Sequence, residues 1–428
     1  MVRMPHWPKP FWYSQINFGF ERIEPVLKVL DNPHLKLPPI IHVAGTNGKG
    51  STVSFIRKIL ETSGKKVHTY TSPHLVEFNE RIVIAGKKTS DEYLYEIIER
   101  TRIAAENLGI QCTFFEATTA AAFIAFSENP ADYLILETGM GGRLDATNIV
   151  ENKIATVITP ISYDHTEFLG KTLSLIAKEK AAIMRPNTPC IISMQTDEAF
   201  DSIEEYATSN NSPTLSFGYD WGVEKTPNGF IYKSTHEETE FRRPSLPGDH
   251  QIINAATAIT CIKAVTNIDN NTIDRAIQST YWTGRLENIT SGYFYNKYTS
   301  FANIWLDGAH NASGAQVLGE WLAEQELPTY MILGMTRNRN IEDFLSFTGK
   351  HLKGVFGIYV EDEPSSYKAD IVSERAKTYG MNAFAADNLD DAFIQIQNDI
   401  KMNGFEKANI LVTGSLFLVG MFLRLNKF

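Results

Sequence analysis

The chain has 428 residues, of which 43% are hydrophobic and 21% are charged. This length exceeds one compact core and predicts two domains of an ordinary globular protein. The formal net charge of −10 excludes a general affinity for nucleic acid, because an acidic surface is repelled by the phosphate backbone.

Targeting and cysteine signals are both weak. Residues 1–10 lack the apolar run of a signal peptide, and no stretch approaches the roughly 20 apolar residues of a membrane span. Cys112, Cys190 and Cys261 lie far apart, so we expect small core residues and no zinc site. These features predict a cytoplasmic protein with no membrane contact, and the lack of heptads favours a monomer.

The most informative stretch is residues 41–52, Ile-His-Val-Ala-Gly-Thr-Asn-Gly-Lys-Gly-Ser-Thr. An apolar run, Pro39–Ala44, enters a glycine-rich turn, and the pattern predicts a helix over Thr52–Thr62. Glycines let backbone N–H groups crowd around an anion at the start of a helix. Lys49 can reach the outer phosphates, and a hydroxyl just beyond it can bind Mg²⁺. The stretch therefore predicts a nucleoside triphosphate site.

This loop differs from the ordinary Walker A pattern. Val43 stands where that pattern has its first glycine, and Gly50 separates Lys49 from Ser51. The alternative for an isolated loop of this composition is a plain glycine turn between strand and helix. The upstream strand, the lysine and the hydroxyls together favour the phosphate site.

Apolar runs alternate with helical patterns along the first two thirds of the chain. The predicted strands are Ile40–Ala44, Tyr133–Glu137, Ala155–Thr159 and Cys190–Met194. Such alternation predicts a doubly wound α/β domain whose ligands bind beyond the carboxyl ends of parallel strands. The turn signals of residues 215–247 predict a small antiparallel excursion, and a helix is predicted over His250–Ala264.

A second α/β series follows a break in the pattern at Thr283–Ser291. Its predicted strands are Asn303–Leu306, Thr329–Leu333, Val355–Tyr359 and Asn409–Thr413. The prediction is thus a P-loop ATPase-like doubly wound domain over residues 1–289, with a mostly parallel sheet and a small antiparallel excursion. A smaller Rossmann-like α/β domain is predicted over residues 290–428.

Three groups in the first domain could carry chemistry. Glu137 ends a buried-looking strand, and a carboxylate there, near a phosphate loop, is a natural Mg²⁺ ligand, with turn capping as the alternative. His165 follows the next strand, but imidazole seldom binds Mg²⁺, so the residue alone indicates a structural role. Lys180 has the pattern of a helix-surface lysine.

Two further segments flank the predicted boundary. Thr280–Arg285 and Asp307–Asn311 could both approach a nucleotide held between domains, since interdomain clefts are favoured ligand sites. Thr413–Gly420 lacks the three-glycine fingerprint of a dinucleotide loop, and we reject that interpretation.

Taken together, these residues resemble the folylpolyglutamate synthase/dihydrofolate synthase family, bacterial bifunctional type, which is related to the Mur ligases. The resemblance extends over nearly the whole chain, in family order. Its motifs are His-Val-Ala-Gly-Thr-Asn-Gly-Lys-Gly-Ser (42–51), Thr-Ser-Pro-His-Leu (71–75), Glu-Thr-Gly-Met-Gly-Gly-Arg-Leu-Asp-Ala-Thr-Asn (137–148), Asp-His-Thr (164–166), Glu-Lys-Ala (179–181), Gly-Asp-His-Gln with Asn-Ala-Ala (248–256), Gly-Arg (284–285) and Asp-Gly-Ala-His-Asn (307–311). One departure is Thr283, where the family often has proline.

The resemblance implies a set of nucleotide, metal and catalytic residues. Catalytic roles fall on Lys49, His165, Lys180 and Arg285. The implied ATP contacts are Thr46, Asn47, Gly48, Lys49, Gly50, Ser51, Asn254, Arg285, Asp307 and His310. The implied Mg²⁺ ligands are Ser51, Ser72 and Glu137, with His165 at a second metal and Lys180 carrying a carbamate, which reverses the expectation from those two residues alone.

The resemblance also implies a pterin site. It would comprise Ile16, Asn17, Phe18, Thr113, Phe114, Phe115, Glu116, Leu144 and Asp145. An aromatic pair beside a carboxylate suits a flat ring with N–H donors, although a core strand is the alternative for one of the two phenylalanines.

The implied reaction is ATP-dependent addition of L-glutamate to dihydropteroate and to reduced folates through an acyl phosphate, releasing ADP and phosphate. A member with only one of these activities is the nearest alternative. A Mur-type peptide ligase would carry a UDP-sugar-binding domain before the phosphate loop, and only 44 residues precede Gly45. A non-ligating ATP switch would show no glutamate dependence of ATP turnover.

Overall fold

The computed structural model describes residues 18–361 and 363–427, so the predicted contacts Ile16 and Asn17 lie outside the described residues. The chain forms two compact units. The first runs to Ser245 and includes Gln251–Tyr281; the second comprises Leu246–His250 and the chain from Trp282 onward. The division at 289/290 stays a prediction about functional domains. Within the described ranges, no helix has both the length and the apolar character needed to cross a membrane.

An eight-stranded sheet forms the centre of the first unit. Its strands are β1 Ile40–Ala44, β2 Val67–Tyr70, β3 Ile82–Ile84, β4 Lys87–Lys88, β5 Tyr133–Glu137, β6 Lys153–Ile158, β7 Cys190–Ile192 and β8 Thr214–Ser216. The order is β4-β3-β2-β5-β1-β6-β7-β8, and only the β2–β3 and β3–β4 pairs are antiparallel. This confirms the predicted mostly parallel sheet, whose central strands β1 and β5 are almost wholly buried, as in sheets covered by helices on both faces.

Nine α-helices are described here, and all but the first residue of the eighth, His250, lie in this unit. They are α1 Ile23–Val29, α2 Lys49–Thr62, α3 Asp91–Asn107, α4 Phe114–Glu128, α5 Thr166–Leu169, α6 Leu173–Ala181, α7 Asp197–Ser209, α8 His250–Val265 and α9 Asn270–Ile277. Short 3₁₀ turns occupy Pro33–Leu35, Phe78–Arg81 and Ala146–Ile149. The helix after the phosphate loop begins at Lys49, three residues before the predicted start, because Gly48 takes the left-handed conformation (φ +82°) and turns the chain directly into the helix.

The predicted antiparallel excursion is confirmed. It is a three-stranded sheet of β9 Trp221–Thr226, β10 Gly229–Ser234 and β11 Glu238–Arg242, in the order β11-β10-β9. Thr226 pairs with Gly229, so the hairpin loop is Pro227-Asn228. The three cysteines are free and buried, which confirms the expectation of core residues.

The second unit contains a six-stranded sheet with α-helices. Its strands are β12 Glu287–Ile289, β13 Ala302–Leu306, β14 Thr329–Leu333, β15 Gly354–Gly357, β16 Ala383–Ala385 and β17 Ala408–Thr413. The order is β12-β13-β17-β14-β15-β16, with only the β12–β13 pair antiparallel. The helices are α10 Tyr293–Tyr298, α11 Ala312–Ala323, α12 Ile341–Thr348, α13 Ala369–Thr378, α14 Leu389–Met402 and α15 Leu416–Leu425, and Gly349–His351 is a 3₁₀ turn. The predicted smaller α/β domain is thereby confirmed in its architecture.

Candidate active site

The phosphate loop connects β1 to α2 and comes closer to its neighbours than any side chain would permit. A Cβ on Gly45 would lie 1.8 Å from Thr159 Oγ1, and one on Gly48 would lie 2.6 Å from Asn254 Oδ1. The first backbone hydrogen bond of α2 runs from Thr52 N to Gly48 O. The N–H groups of residues 49–51 therefore precede the helical ladder, as in an anion site at a helix N-terminus.

The loop is fastened to the segment after β6. The backbone N–H groups of Thr46 and Asn47 both donate to Pro160 O, at 3.0 and 3.2 Å. Thr46 Oγ1 also donates to Ser162 O and accepts from Ser162 N, each at 3.1 Å. In this conformation the backbone N–H groups of Thr46 and Asn47, both predicted ATP contacts, are thus hydrogen-bonded within the protein.

Two lysines converge on the carbonyl oxygen of Gly45. Lys49 Nζ lies 3.1 Å from it and 3.2 Å from Thr46 O, and Lys180 Nζ lies 2.8 Å from it. Lys180 is buried, not on the helix surface as its pattern alone indicated. Burial, assisted by the charge of Lys49, lowers the pKa of Lys180 to about 7. The two amino groups therefore favour the binding of an anionic ligand beside this loop.

Oxygen groups suited to Mg²⁺ gather at the carboxyl ends of three parallel strands. Glu137 ends β5 beside Val43 of β1, and its Oε2 accepts from the backbone N–H of Ser72, just after β2, at 3.1 Å. Ser51 lies buried in the first turn of α2. No cluster of three His, Cys, Asp or Glu in the described parts of the chain could hold a metal ion. One carboxylate with hydroxyls nevertheless fits Mg²⁺, which typically completes its shell with phosphate oxygens and water.

His165 lies in the loop that fastens the phosphate loop. Its backbone takes the left-handed conformation (φ +50°), and its N–H donates to Asp164 Oδ1 at 2.8 Å. The ring Nε2 lies 3.7 Å from the same oxygen. The carboxylate of Asp164 therefore lies beside the His165 ring, whose metal role stays a prediction.

The glycine-rich loop after Glu137 is organised by Asp145. This buried carboxylate accepts from the N–H groups of Gly139 and Met140, both at 2.9 Å, and from Thr147 through its N–H and Oγ1, at 3.0 and 2.5 Å. Burial raises its pKa despite these donors. Leu144, half-buried, is carried on the same loop. The substrate contacts predicted for Leu144 and Asp145 stay predictions, and Asp145 also fixes its own loop.

The segment Thr113–Glu116 forms the start of α4, so the alternative of a core strand is wrong. Thr113 Oγ1 accepts from Glu116 N, and Glu116 Oε2 accepts from Thr113 N at 2.7 Å, which is a capping box. Arg22 also forms a salt bridge with Glu116, with Nη2 2.7 Å from Oε1. A helix N-terminus rather than a strand thus presents these side chains.

The aromatic residues of the predicted pterin site have defined partners. The Phe114 ring packs edge-on against Phe78, and the Arg81 guanidinium lies 5.3 Å from its centroid. Phe115 lies over Gly139, where a Cβ would be 2.6 Å from the ring. Phe18 packs edge-on against Phe168. Arg22 and Arg81 were missed in the sequence; Arg81 follows the 71–75 motif by six residues, and that proximity was the available signal.

In the second unit, Arg285, Asp307 and His310 come together at the carboxyl end of β13. Asp307 accepts from the N–H groups of Leu286 and Ala309, at 2.9 and 2.8 Å, and burial raises its pKa. A Cβ on Gly308 would lie 2.7 Å from Arg285 Nη1, and His310 Nδ1 lies 2.9 Å from Gly308 O.

His250, also of this unit, belongs to the 248–256 motif and is not among the predicted site residues. Burial, assisted by the Arg285 charge, lowers the pKa of His250 to about 4, so the ring is neutral at pH 7. The nucleotide contacts predicted for Arg285, Asp307 and His310 stay predictions.

Two family models match the chain. Residues 85–262 match the Mur ligase middle domain, and residues 293–425 match the C-terminal domain of dihydrofolate synthetase. A relative from Bacillus subtilis (strain 168), named dihydrofolate synthase/folylpolyglutamate synthase, is 36% identical over 323 residues, which is 72% of each chain.

Solved structures show the same similarity over almost the full length. E. coli FolC in complex with DHPP and ADP superposes with a TM-score of 0.84 and 27% identity, covering 96% of this chain and 94% of that one. A bifunctional folylpolyglutamate synthase/dihydrofolate synthase from Yersinia pestis, complexed with AMPPNP and Mn, also gives 0.84 and 27%, covering 96% and 95%. The chain belongs to the dihydrofolate synthase/folylpolyglutamate synthase family of ATP-dependent ligases.

Proposed function

We propose that this protein adds L-glutamate to dihydropteroate, forming dihydrofolate, and to reduced folates, extending their γ-glutamyl tail. The observation that carries the proposal is the convergence of Lys49, Lys180 and Glu137 around a glycine-rich loop, in a chain of this family. Both activities occur in the name of the Bacillus subtilis relative, which favours a bifunctional enzyme over a single activity.

The chemistry needs a carboxylate to become a good electrophile. A carboxylate oxygen of the acceptor attacks the γ-phosphorus of ATP, and the bond from that phosphorus to ADP breaks, giving an acyl phosphate. The amine of L-glutamate then attacks the acyl carbon; the new C–N bond forms, the C–O bond to phosphate breaks and the amine loses a proton. Phosphorylation is required because the unmodified carboxylate oxygen is a poor leaving group.

The residues of the first unit support the phosphate part of this reaction. Lys49 would leave its carbonyl partners for the outer phosphates, and the N–H groups of residues 49–51 would bind phosphate oxygens. Mg²⁺, held by Ser51, Ser72 and Glu137, would neutralise phosphate charge. We assign the remaining nucleotide contacts to Thr46, Asn47, Gly48, Asn254, Arg285, Asp307 and His310.

A carbamate on Lys180 is the finer part of the proposal. A neutral amine attacks CO₂ and releases a proton, whereas an ammonium group does not react, and the lowered pKa of Lys180 favours the neutral form. The product is an oxygen ligand beside the phosphate loop, where with His165 it would serve a second metal ion.

The acceptor side rests on the aromatic residues. Phe18, Phe114 and Phe115 would stack on the pterin, and Thr113, Glu116, Leu144 and Asp145 would complete the site. The proposed partners are these small molecules alone, and the proposed state is a cytoplasmic monomer.

Release of ADP under defined conditions tests the proposal. Purified protein with Mg-ATP is given L-glutamate, dihydropteroate or tetrahydrofolate singly, and then glutamate with each acceptor. Rapid ADP release only when glutamate and an acceptor are both present is the expected result. ADP release that ignores glutamate would reject the ligase and favour an ATP switch, and release with one acceptor alone would assign a single activity.

A further inference from the structure

We infer that His42 is a positioning residue, which fixes the loop at residues 139–147 to the strand that enters the phosphate loop. His42 lies in β1, three residues before Gly45, and its side chain is completely buried. Its Nε2 lies 2.9 Å from Thr147 Oγ1, 105 residues further along the chain. The kinetic consequence of this link rests on the proposed function, whereas the link itself does not.

The hydrogen bonds define which nitrogen of His42 carries the proton. Thr147 Oγ1 donates its single hydrogen to Asp145 Oδ1 at 2.5 Å. The hydroxyl must therefore accept from His42, so Nε2 is protonated and Nδ1 is not. Nδ1 is buried and has no hydrogen-bond partner among the described residues, as expected of a neutral ring in this tautomer.

The path continues from Asp145 to the residues that follow Glu137. The other carboxylate oxygen, Oδ2, accepts from the N–H groups of Gly139 and Met140. A continuous chain of hydrogen bonds, buried from His42 to Asp145 and part-buried beyond, thus runs from β1 through Thr147 to the start of the loop. Because that loop also carries Leu144, the link sets the predicted acceptor contacts relative to the phosphate loop.

An ordinary core histidine is the competing interpretation, and His68 shows what one looks like here. It is equally buried, on β2, and both ring nitrogens meet backbone groups: Nε2 lies 2.9 Å from Asn129 O, and Nδ1 accepts from Ala85 N at 2.9 Å. His42 instead leaves one ring nitrogen unpaired, which an apolar residue would avoid. The hydrogen bond that the imidazole does make therefore points to the link with Thr147.

Substitutions at residue 42 distinguish hydrogen-bond donation to Thr147 from simple packing of the side chain in the core. His42→Leu removes the donor, and we expect the KM for dihydropteroate to rise about tenfold while the KM for ATP changes less than about threefold, since one net hydrogen bond is worth roughly that factor. His42→Gln places an amide N–H near the position of Nε2 and should stay within about threefold of wild type for both substrates. His68→Leu is the matched control. It also removes a buried histidine, but we expect the KM for dihydropteroate and the KM for ATP to stay unchanged.

Two measurements without substrates test the link directly. Nitrogen shifts of ¹⁵N-histidine-labelled wild-type protein at pH 7, assigned with His42→Gln, should show a protonated Nε2 and a bare Nδ1. Hydrogen exchange of the peptide covering residues 137–148 should quicken about tenfold in His42→Leu and not in His68→Leu. The opposite tautomer, a cationic ring or unchanged exchange would overturn the inference.

Three further experimental results would also decide the role of His42. Equal KM changes in His42→Leu and His42→Gln, with normal exchange, would reduce His42 to a packing residue. If His42→Leu does not fold, the same KM and exchange measurements are made on Thr147→Val and Thr147→Ser. Only the serine variant keeps the hydroxyl that accepts from His42. Absence of any ligation by wild-type protein would reject the proposed function, while the tautomer and exchange results would still decide the link.

Discussion

Single residues decide the electrostatics of the phosphate loop. Lys49 and Lys180 both reach the carbonyl oxygen of Gly45, so two potential cations lie on one acceptor. Burial, and secondly the charge of Lys49, lowers the pKa of Lys180 to about 7, so the charged form of Lys180 is disfavoured. The two lysines therefore support different functions, and their variants should fail in different ways.

Replacement of Lys49 by methionine should abolish phosphate stabilisation without unfolding the protein. We expect kcat/KM for ATP to fall about 100- to 1,000-fold, the usual loss when one charged stabilising group is removed. Steady-state ADP release measures this, with Lys58→Met on the same helix as the control. A Lys49→Met enzyme within threefold of wild type would limit Lys49 to a structural role in the loop.

Activity should depend on CO₂ and on pH if Lys180 is carbamylated. Since the pKa of Lys180 lies near 7 instead of 10.5, the reactive amine is scarce at pH 6 and predominates at pH 8. Removing CO₂ should lower the rate, and bicarbonate should restore it more completely at pH 8 than at pH 6. ¹³C spectra with labelled bicarbonate should show a carbamate that Lys180→Met lacks and Lys178→Met retains; identical rates with and without CO₂ would refute the carbamate.

The burial of Lys180 also shows where prediction from single residues stops. Lys178 and Lys180 lie in the same helix, α6, yet Lys178 is exposed and Lys180 is buried. Residues two positions apart point to opposite sides of a helix. The sequence allows both to be surface lysines, and only the packing of α6 against the phosphate loop distinguishes them. The family resemblance singled out Lys180, whereas its pattern alone did not.

Secondary-structure elements were predicted best where a short, mostly apolar run ended at turn residues. The central strands β1 and β5 were predicted at their observed bounds. Helix α4 was not predicted because residues 116–126 are buried all round, and their sequence, Glu-Ala-Thr-Thr-Ala-Ala-Ala-Phe-Ile-Ala-Phe, lacks an exposed polar face. Strand order in both sheets depends on long-range pairing that local patterns do not encode.

The glycine-rich loop and α6 approach each other at Gly142. A Cβ there would lie 2.6 Å from Glu179 O and 3.0 Å from Lys180 O, so Gly142→Ala must push the loop from the helix. We expect a loss of about 1–3 kcal/mol in the free energy of unfolding, as for other overpacked sites, together with reduced ligation.

Urea denaturation and product formation measure the two effects of Gly142→Ala. The matched control is Gly222→Ala, because nothing lies within 4 Å of a Cβ at Gly222. Its free energy of unfolding should change by no more than about 0.5 kcal/mol. Equal behaviour of the two variants would show that the close approach to α6 is unimportant.

At the scale of the whole molecule, each compact unit holds its own group of site residues. The first contains the phosphate loop, Glu137 and Lys180, and the second contains Arg285, Asp307 and His310. The sequence predicted both α/β architectures and the order of the motifs along the chain. It could not predict the Asp145 network, because that network depends on side-chain geometry within a folded loop. The capping box, in contrast, has a signal in the sequence, the spacing of Thr113 and Glu116, which the prediction did not use.

The mass of the reaction products tests the central proposal most directly. Protein, Mg-ATP and ¹⁵N-labelled L-glutamate are incubated with dihydropteroate or with tetrahydrofolate, and the products are analysed by mass spectrometry. We predict that each acceptor gains a labelled glutamyl residue, in step with ADP release and only when ATP is present. Acceptors of unchanged mass, in an assay validated with a known ligase of the family, would contradict the proposed function.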